Sequence, residues 1–172
     1  REVVGIYISG HPLDDFKHTL HHFCNTSLSQ LHDLEPLINR ELAIAGMVTS
    51  LQHRTNKNGK PFGFFTLEDY DSSYEVKLFD KDYENFQKYM ISGAFLYIKL
   101  RVTEGMLNRE TNQRNAPRIQ FIQMMQLQDV MPSLVKKLTL HLNIDEITPT
   151  LIQNYKNIFE KHKGDYPLYF VV

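Results

Sequence analysis

The stretch His53–Phe79, HRTNKNGKPFGFFTLEDYDSSYEVKLF, decides the fold of this 172-residue chain. It opens with the loop HRTNKNGKP (53–61), which has three Lys or Arg residues and no acidic residue. Two runs rich in aromatic and β-branched residues follow, FGFFTLEDY and YEVKLF, separated by the turn Asp71-Ser72-Ser73. This pattern is typical of a β-hairpin. We therefore predict two antiparallel strands that follow a basic loop.

Further strands are predicted on both sides of this hairpin. ELAIAGMVTSLQ (41–52) precedes the basic loop, and its central Gly46 suggests a bulge or a corner. Apolar residues recur at helical spacing over 80–92, which predicts a helix with Asp80 as its N-cap. Two more strands complete the order: FLYIKLRVT (95–103), which alternates apolar and polar residues, and IQFIQMMQLQDV (119–130).

Five strands with a helix between the third and the fourth are the order of an OB-fold barrel. We predict a mainly β fold with some α, in which a five-stranded OB barrel occupies residues 37–132. Residues 1–36 are expected to form a helical lead-in and a polar linker, because Ser9-Gly10-His11-Pro12 is a turn and apolar residues then recur at helical steps. Residues 133–172 read as a partial βαβ (α/β) unit, the start of a second domain.

The composition of the chain limits its possible functions. The net charge is −1, so any nucleic-acid contact must come from a local basic surface. The single cysteine, Cys24, excludes an internal disulfide and a zinc-thiolate cluster, and it fits a reducing, cytoplasmic compartment. No run approaches the length of a membrane span. The chain does not begin with Met, and we interpret it as a piece of a larger protein.

The candidate chemical motifs have simpler structural explanations. His18 and His22 have the spacing of metal ligands on a helix, but no suitable third ligand is evident. His11 is expected to cap the helix that follows it. Gly59-Lys60 lacks the hydroxyl residue of a phosphate loop, because Pro61 follows it. We predict no catalytic residue, no metal and no cofactor.

Two stretches of the sequence resemble a known protein family. Two elements carry the match: GIYISGHPLDDF (5–16), and the stretch that runs from IAGMVTSLQ through the hairpin to ENF (44–86). Together they resemble the C-terminal region of the bacterial DNA polymerase III alpha subunit. The matching positions are Gly5, Tyr7, Ser9, Gly10, His11 and Pro12 in the first element, and Arg54, Thr55, Gly59, Thr66, Leu67, Asp69, Glu75, Val76, Leu78 and Phe79 in the second.

The resemblance implies an OB domain that contacts the single-stranded template, followed by a small domain that binds the tau subunit of the clamp loader. The resemblance also implies that the full-length protein is a DNA-directed DNA polymerase, a nucleotidyltransferase of the replisome. Its catalytic aspartates belong to a palm domain, and no part of this chain resembles a palm. The expected partners are therefore single-stranded DNA, the rest of the polymerase chain and, for the tail, tau; no membrane is expected.

The nucleic-acid contacts are predicted on two loops and one strand face. OB folds commonly hold nucleic acid with the loops between strands one and two and between strands four and five. If Phe65 and Val76 face the barrel interior, the alternating residues of both hairpin strands face outward. Burial of these rings under the helix or a neighbouring domain is the alternative. The candidates are Arg54, Lys57, Lys60, Phe62, Phe64, Lys77, Phe79, Arg101, Arg109, Arg114 and Arg118.

Two functions of different class follow. The first is a non-catalytic single-stranded DNA-binding module that positions the template during replication, with charge for the backbone and rings for the bases. The second is a protein-interaction module, in which the βαβ tail and its edge strand YPLYFVV dock the clamp loader or another replisome subunit. The location of the exposed apolar surface distinguishes them.

Overall fold

A computed structural model of the chain describes residues 10–108 and 112–172. Contacts within the chain divide it into two compact units, residues 1–130 and residues 131–172. The predicted positions Gly5, Tyr7 and Ser9, and the candidate Arg109, lie outside the described residues. The two units are described separately.

The first unit contains the strands β1 Glu41–Thr55, β2 Pro61–Glu68, β3 Ser73–Phe79, β4 Phe95–Thr103, β5 Leu107–Asn108, β6 Gln113–Arg114 and β7 Arg118–Gln126, and the helix α2 Asp80–Phe86. Five of the strands form an antiparallel sheet in the order β3-β2-β1-β4-β7. The helix α2 lies between β3 and β4 in the chain, as in an OB fold, so the predicted fold class is confirmed. A two-residue pair, β5 and β6, forms a small arm between β4 and β7.

The long strand β1 pairs with β4 through its first half and with β2 through its second half. The changeover falls at Met47, which has partners on both strands. The sequence predicts a bulge or a corner at Gly46, but the register slips between Val48 and Ser50, so the bulge lies further along β1. Gly46 instead allows a close approach, because a Cβ there would lie 2.5 Å from the carbonyl oxygen of Glu68.

Alternating residues of these strands form one hydrophobic core. The prediction for β4 is confirmed on its inner side, where Leu96, Ile98, Leu100 and Val102 are fully buried. Phe65 and Leu67 of β2 and Val76 and Leu78 of β3 belong to the same core cluster. The inward residues of the hairpin are therefore those that alternation predicted, and the residues between them face outward.

The helix after β3 begins differently from the prediction. Its N-cap is Phe79, whose side chain makes no capping hydrogen bond, and Asp80 is already the first helical residue. Asp80 has a φ of 46°, in the left-handed region, which Asp and Asn adopt more readily than other residues with a side chain. The chain therefore turns sharply between the exposed Phe79 and α2, and Asp80 is not the predicted cap.

The lead-in begins with a capped turn. The His11 ring nitrogen Nδ1 accepts a hydrogen bond from the Leu13 N–H (3.2 Å), and the Asp14 carboxylate accepts one from the His11 N–H (2.9 Å). This capping box confirms the role predicted for His11. A 3-10 turn, Pro12–Phe16, and the helix α1, Lys17–Phe23, follow it.

Residues 25–36 are more ordered than the polar linker that we expected. They contain 3-10 turns at Leu28–His32 and, just before the barrel, at Glu35–Leu37. Leu28 and Leu31 are buried in the barrel's own core cluster. The Asp69 carboxylate of the β2–β3 turn accepts a hydrogen bond from the Leu28 N–H (2.8 Å), so this segment is packed onto the hairpin.

The lead-in covers one outer face of the sheet. Tyr97 points away from the barrel core by alternation, yet it is only 4% exposed, and Ala43 and Ala45 on β1 are also buried. The Phe16 ring lies 5.2 Å from the Phe95 ring, and Asn25 exchanges hydrogen bonds with the backbone of Ala43. We call the outward surface of the β1–β4 pair the covered face.

The second unit contains the predicted β–α–β order. The strands β8, Leu138–His141, and β9, Leu168–Val171, pair in parallel, and the helix α4, Pro149–Lys161, lies between them in the chain. Thr148 caps α4 by accepting from the Leu151 N–H (3.2 Å), with Pro149 at the first position, as predicted. A short helix, α3, occupies Val130–Leu134. No residue of 131–172 is fully buried in this structure.

Candidate nucleic-acid interface

The outward residues of the hairpin and of the end of β1 lie side by side. The strand register pairs Arg54 with Phe62 and Phe62 with Phe79 in one row across three strands. The next rows repeat this arrangement, because paired residues of antiparallel strands point to the same side. We call this surface the open face: Ser50, Gln52 and Arg54 of β1, Phe62, Phe64 and Thr66 of β2, and Glu75, Lys77 and Phe79 of β3.

Three phenylalanines of the open face are not buried in the core. Phe62 and Phe79 are stacked, with ring centroids 5.5 Å apart and an angle of 19° between the ring planes. Phe79 is 52% exposed, which is unusual for a large apolar side chain. The Arg54 guanidinium lies 5.2 Å from the centre of the Phe64 ring, a cation–π distance. These rings can therefore present flat apolar surface to a ligand.

The basic loop between β1 and β2 is shaped by its own side chains. The Asn56 carboxamide oxygen accepts from the N–H groups of Asn58 and Lys60, both at 2.9 Å. Gly59 has a φ of 77°, which only glycine adopts readily. Gln52 holds the Arg54 guanidinium through two hydrogen bonds. The loop thus presents its cations from a defined turn next to the open face.

Several predicted cations already have an acidic partner. Lys60 pairs with Asp80 (3.2 Å), and Lys77 pairs with Glu75 (3.0 Å). Both pairs are well exposed, and exposed pairs are worth only about 0–1 kcal/mol, so a phosphate can compete for them. For Lys57 and Arg118, both exposed, the described residues provide no ion pair.

The arm between β4 and β7 contributes less charge than its sequence suggests. Arg114 on β6 is paired with Glu104. The arm is tightly closed at its base, because a Cβ on Gly105 would overlap the backbone of Asn115. Arg118, at the start of β7, lies beside an open cavity that also touches the open face. Of the two described cations Arg114 and Arg118, Arg118 is thus the one that lies beside the hairpin.

Arg101 lies apart from the other candidates. It pairs with Glu41, at the end of β1 opposite to Arg54. A hydrogen bond from Lys99 and a second from Arg101 lower the pKa of the Glu41 carboxyl. The structure therefore brings Arg54, the hairpin rings and Lys77 together, and it places Arg101 in a separate charge cluster.

A cavity of about 710 Å³ lies between β3 and β7, the two end strands of the sheet. Burial raises the pKa of the Tyr74 phenol and of the Asp82 carboxyl, which both line it. Sequence reasoning missed these residues. Tyr74 lies on the same side of β3 as the inward Val76 and Leu78, and Phe121 and His32 approach the cavity only through tertiary packing. The cavity is lined by His32, Leu34, Tyr74, Glu75, Lys77, Phe79, Asp82, Pro117, Arg118, Ile119 and Phe121.

Within residues 10–108 and 112–172, no three His, Cys, Asp or Glu side chains come together as a metal-binding group. In the same residues no helix is long and apolar enough to cross a membrane.

The family model tRNA anti-codon, an OB-fold nucleic acid binding domain, matches residues 42–129. A DNA polymerase III alpha subunit of Saccharopolyspora erythraea is 38% identical over 60% of this chain, and one of Pseudomonas fluorescens is 24% identical over 98% of it. The chain spans only 9% and 14% of these two relatives. The mitochondrial single-stranded DNA binding protein Rim1 of S. cerevisiae aligns with a TM-score of 0.33 and 14% identity over 51% of this chain and 94% of that chain. This chain belongs to the OB-fold nucleic-acid-binding family, and the predicted resemblance to DNA polymerase III alpha subunits is confirmed.

Proposed function

We propose that this chain is the single-stranded DNA-binding segment of a bacterial replicative polymerase and that it holds the template strand without catalysing a reaction itself. In this proposal the segment acts in the cytoplasm as part of a DNA polymerase III alpha subunit. The observation that carries the proposal is the open face, where half-buried and exposed rings lie directly beside a basic loop. Charge beside stacking rings is what a single strand requires.

The two parts of the interface have separate tasks. Arg54, Lys57 and Lys60 contact phosphates, and Phe62, Phe64 and Phe79 stack with bases. Lys77 and Arg118 continue the positive path past the hairpin toward the arm, which carries Arg114. Phosphate contacts fix position but carry no sequence information, so binding through this path accepts many sequences.

The test is fluorescence anisotropy of a labelled single-stranded oligonucleotide with this chain, at low and at moderate salt. We expect salt-sensitive binding that is weaker for the matching duplex, because a duplex hides the faces of its bases. Charge reversal of Arg54, Lys57 and Lys60 together is expected to abolish it. Equal binding by that variant, or no binding by the natural sequence at low salt, would contradict the proposal.

A second candidate function, protein docking, is favoured by exposed apolar side chains in the second unit. Its edge strand β9 exposes apolar side chains, with Tyr169 at 53%, Phe170 at 49% and Val172 beyond it at 70%. Phe170 also packs against the α4 rings Tyr155 and Phe159, whereas Tyr169 points to the opposite face of the strand, and large apolar side chains that remain exposed are typical of an interaction site. The candidate partner is the tau subunit of the clamp loader, and Tyr169→Asp, at a residue that is 53% exposed, is expected to remove its binding in calorimetry. Unchanged tau binding by that variant would dismiss this surface.

A further inference from the structure

The cavity between β3 and β7 has the size and lining of a site for a small flat group. Its volume of about 710 Å³ lies within the range of roughly 300–1,000 Å³ that small-molecule sites occupy. β3 and β7 end the sheet on opposite sides, so the barrel is open along this seam. Phe79 belongs both to the cavity lining and to the open face. A strand that crosses the open face therefore passes the mouth of the cavity.

Aromatic rings in the cavity wall are in contact with neighbouring rings. The His32 ring meets the Tyr74 ring edge-on at 5.9 Å, and the Phe86 ring meets Phe121 edge-on at 6.4 Å. Tyr74 and Phe121 are half-buried, and Phe79 is held by its stack on Phe62. Rings that neighbours hold in place lose little further freedom when a base stacks on them.

Carboxylates distinguish this cavity from the basic loop. Glu75 is tied to Lys77, whereas the described residues give the Asp82 carboxylate neither a hydrogen bond nor an ion pair. Burial raises the Asp82 pKa, which is the sign of a carboxylate that lacks compensating donors. A phosphate is repelled by such groups. A group that donates hydrogen bonds is attracted by them.

Nucleobases differ in what they offer to a carboxylate. Cytosine, adenine and guanine carry an exocyclic amino group, and a Glu or Asp that accepts from cytosine N4 is a known form of base recognition. Thymine carries the carbonyl oxygen O4 at the position where cytosine carries its amino group, and this oxygen repels a carboxylate. The contrast is cleanest between cytosine and thymine, which have the same ring size.

We propose that the cavity between β3 and β7 takes one unstacked base of the bound single strand and prefers an amino-bearing base, with Glu75 or Asp82 as the acceptor. The rings Tyr74, Phe79 and Phe121 enclose the base, and Arg118 holds the phosphate beside it. This inference rests on the proposed function, because it needs the strand to lie across the open face. It adds a base preference that the phosphate contacts cannot supply.

The experiment compares oligo-dC and oligo-dT of equal length, each labelled at the same end, by fluorescence anisotropy with the full chain. It is run at mildly alkaline pH, where cytosine is unprotonated and oligo-dC does not fold on itself. We expect oligo-dC to bind roughly fivefold more tightly or better, as one good base contact provides. Equal affinities with clear salt dependence would overturn this inference and leave the proposed function standing. No binding of either oligonucleotide would overturn both.

The acceptors are tested with the double variant Glu75→Gln and Asp82→Asn. Removal of two negative charges strengthens binding of any strand, so the readout is the ratio of the two affinities rather than either affinity alone. We expect the ratio to fall to about one, whereas the control Glu104→Gln, on the arm and outside the cavity, keeps it. A double variant that is folded by circular dichroism and retains the natural ratio would overturn the assignment.

Discussion

The covered face and the open face belong to the same sheet and differ in what lies on them. On the covered face, Tyr97 is almost wholly buried beneath the lead-in and Phe95 is in ring contact with Phe16. On the open face, Phe79 is 52% exposed although the Phe62 ring is stacked on it. Exposure of aromatic residues in this fold is therefore selective, which is why we assign stability to one face and binding to the other.

The largest expected effect is on stability and comes from the segment that forms the cover. Leu13 is fully buried, and Leu13→Ala is expected to lower the free energy of unfolding by about 2–5 kcal/mol, because it leaves a cavity. Urea denaturation followed by circular dichroism measures this. Leu107→Ala, at a leucine that is 51% exposed, is the matched control and is expected to change little. Equal effects of the two variants would mean that the lead-in does not pack as described.

The second comparison substitutes one phenylalanine on each face. Phe64→Ala is expected to weaken single-strand binding by about 1–3 kcal/mol, the value of one stacked base. Phe95→Ala, on the covered face, should lower the melting temperature and leave the affinity for the single strand nearly unchanged. Anisotropy titration and thermal unfolding of both variants give the four numbers required. If Phe95→Ala weakens binding as much as Phe64→Ala, the division between the faces fails.

A smaller effect is expected from the acid that holds a loop cation. Asp80→Asn frees Lys60 for a phosphate and should strengthen single-strand binding by about 0.2–1 kcal/mol, the scale of an exposed ion pair. Glu160→Gln, in α4, makes the same change in net charge far along the chain and serves as the control. Weaker binding by Asp80→Asn would show that Asp80 orients Lys60 rather than competing for it.

The smallest effect concerns the half-buried thiol beneath the cover. Burial raises the pKa of Cys24 to about 12, which favours its neutral, unreactive form. The neutral thiol contributes stability fully below its ordinary pKa of 9.0, and this contribution is lost as the pH rises toward about 12. Alkylation by iodoacetamide near neutral pH should be slow in the native chain and fast in urea. Equally fast alkylation in both states would mean that the cover opens readily.

The sequence predicted much of this arrangement because the strands alternate strictly. Alternation in the hairpin identified which rings face outward, and the turn histidine was recognisable from its neighbours as a cap. The cavity could not be predicted in this way, because β3 and β7 are distant in the chain and line one cavity only in the folded barrel. The lead-in was underestimated for a similar reason: Leu28 and Leu31 stand among polar residues, and only tertiary contact shows that they are buried.

The ion pairs were also invisible in the sequence. Lys60 and Asp80 are twenty residues apart, and Arg101 and Glu41 are sixty apart. Counting cations in the sequence therefore overstated the charge that is free for phosphate, and it included Arg101, which lies on β4 and pairs with Glu41. Pairing between strands decides which cations remain available, and that depends on register rather than on composition.

The most direct test of the open face is the salt dependence of single-strand binding. Replacement of Arg54, Lys57 and Lys60 by Gln should reduce the slope of log affinity against log salt by about 2, since each phosphate contact contributes about 0.7. Replacement of Lys156, Lys161 and Lys163 by Gln, in and after α4, removes the same charge from the second unit and should leave the slope unchanged. A slope that falls equally for both triple variants would show that binding follows net charge, and it would contradict the assignment of the open face.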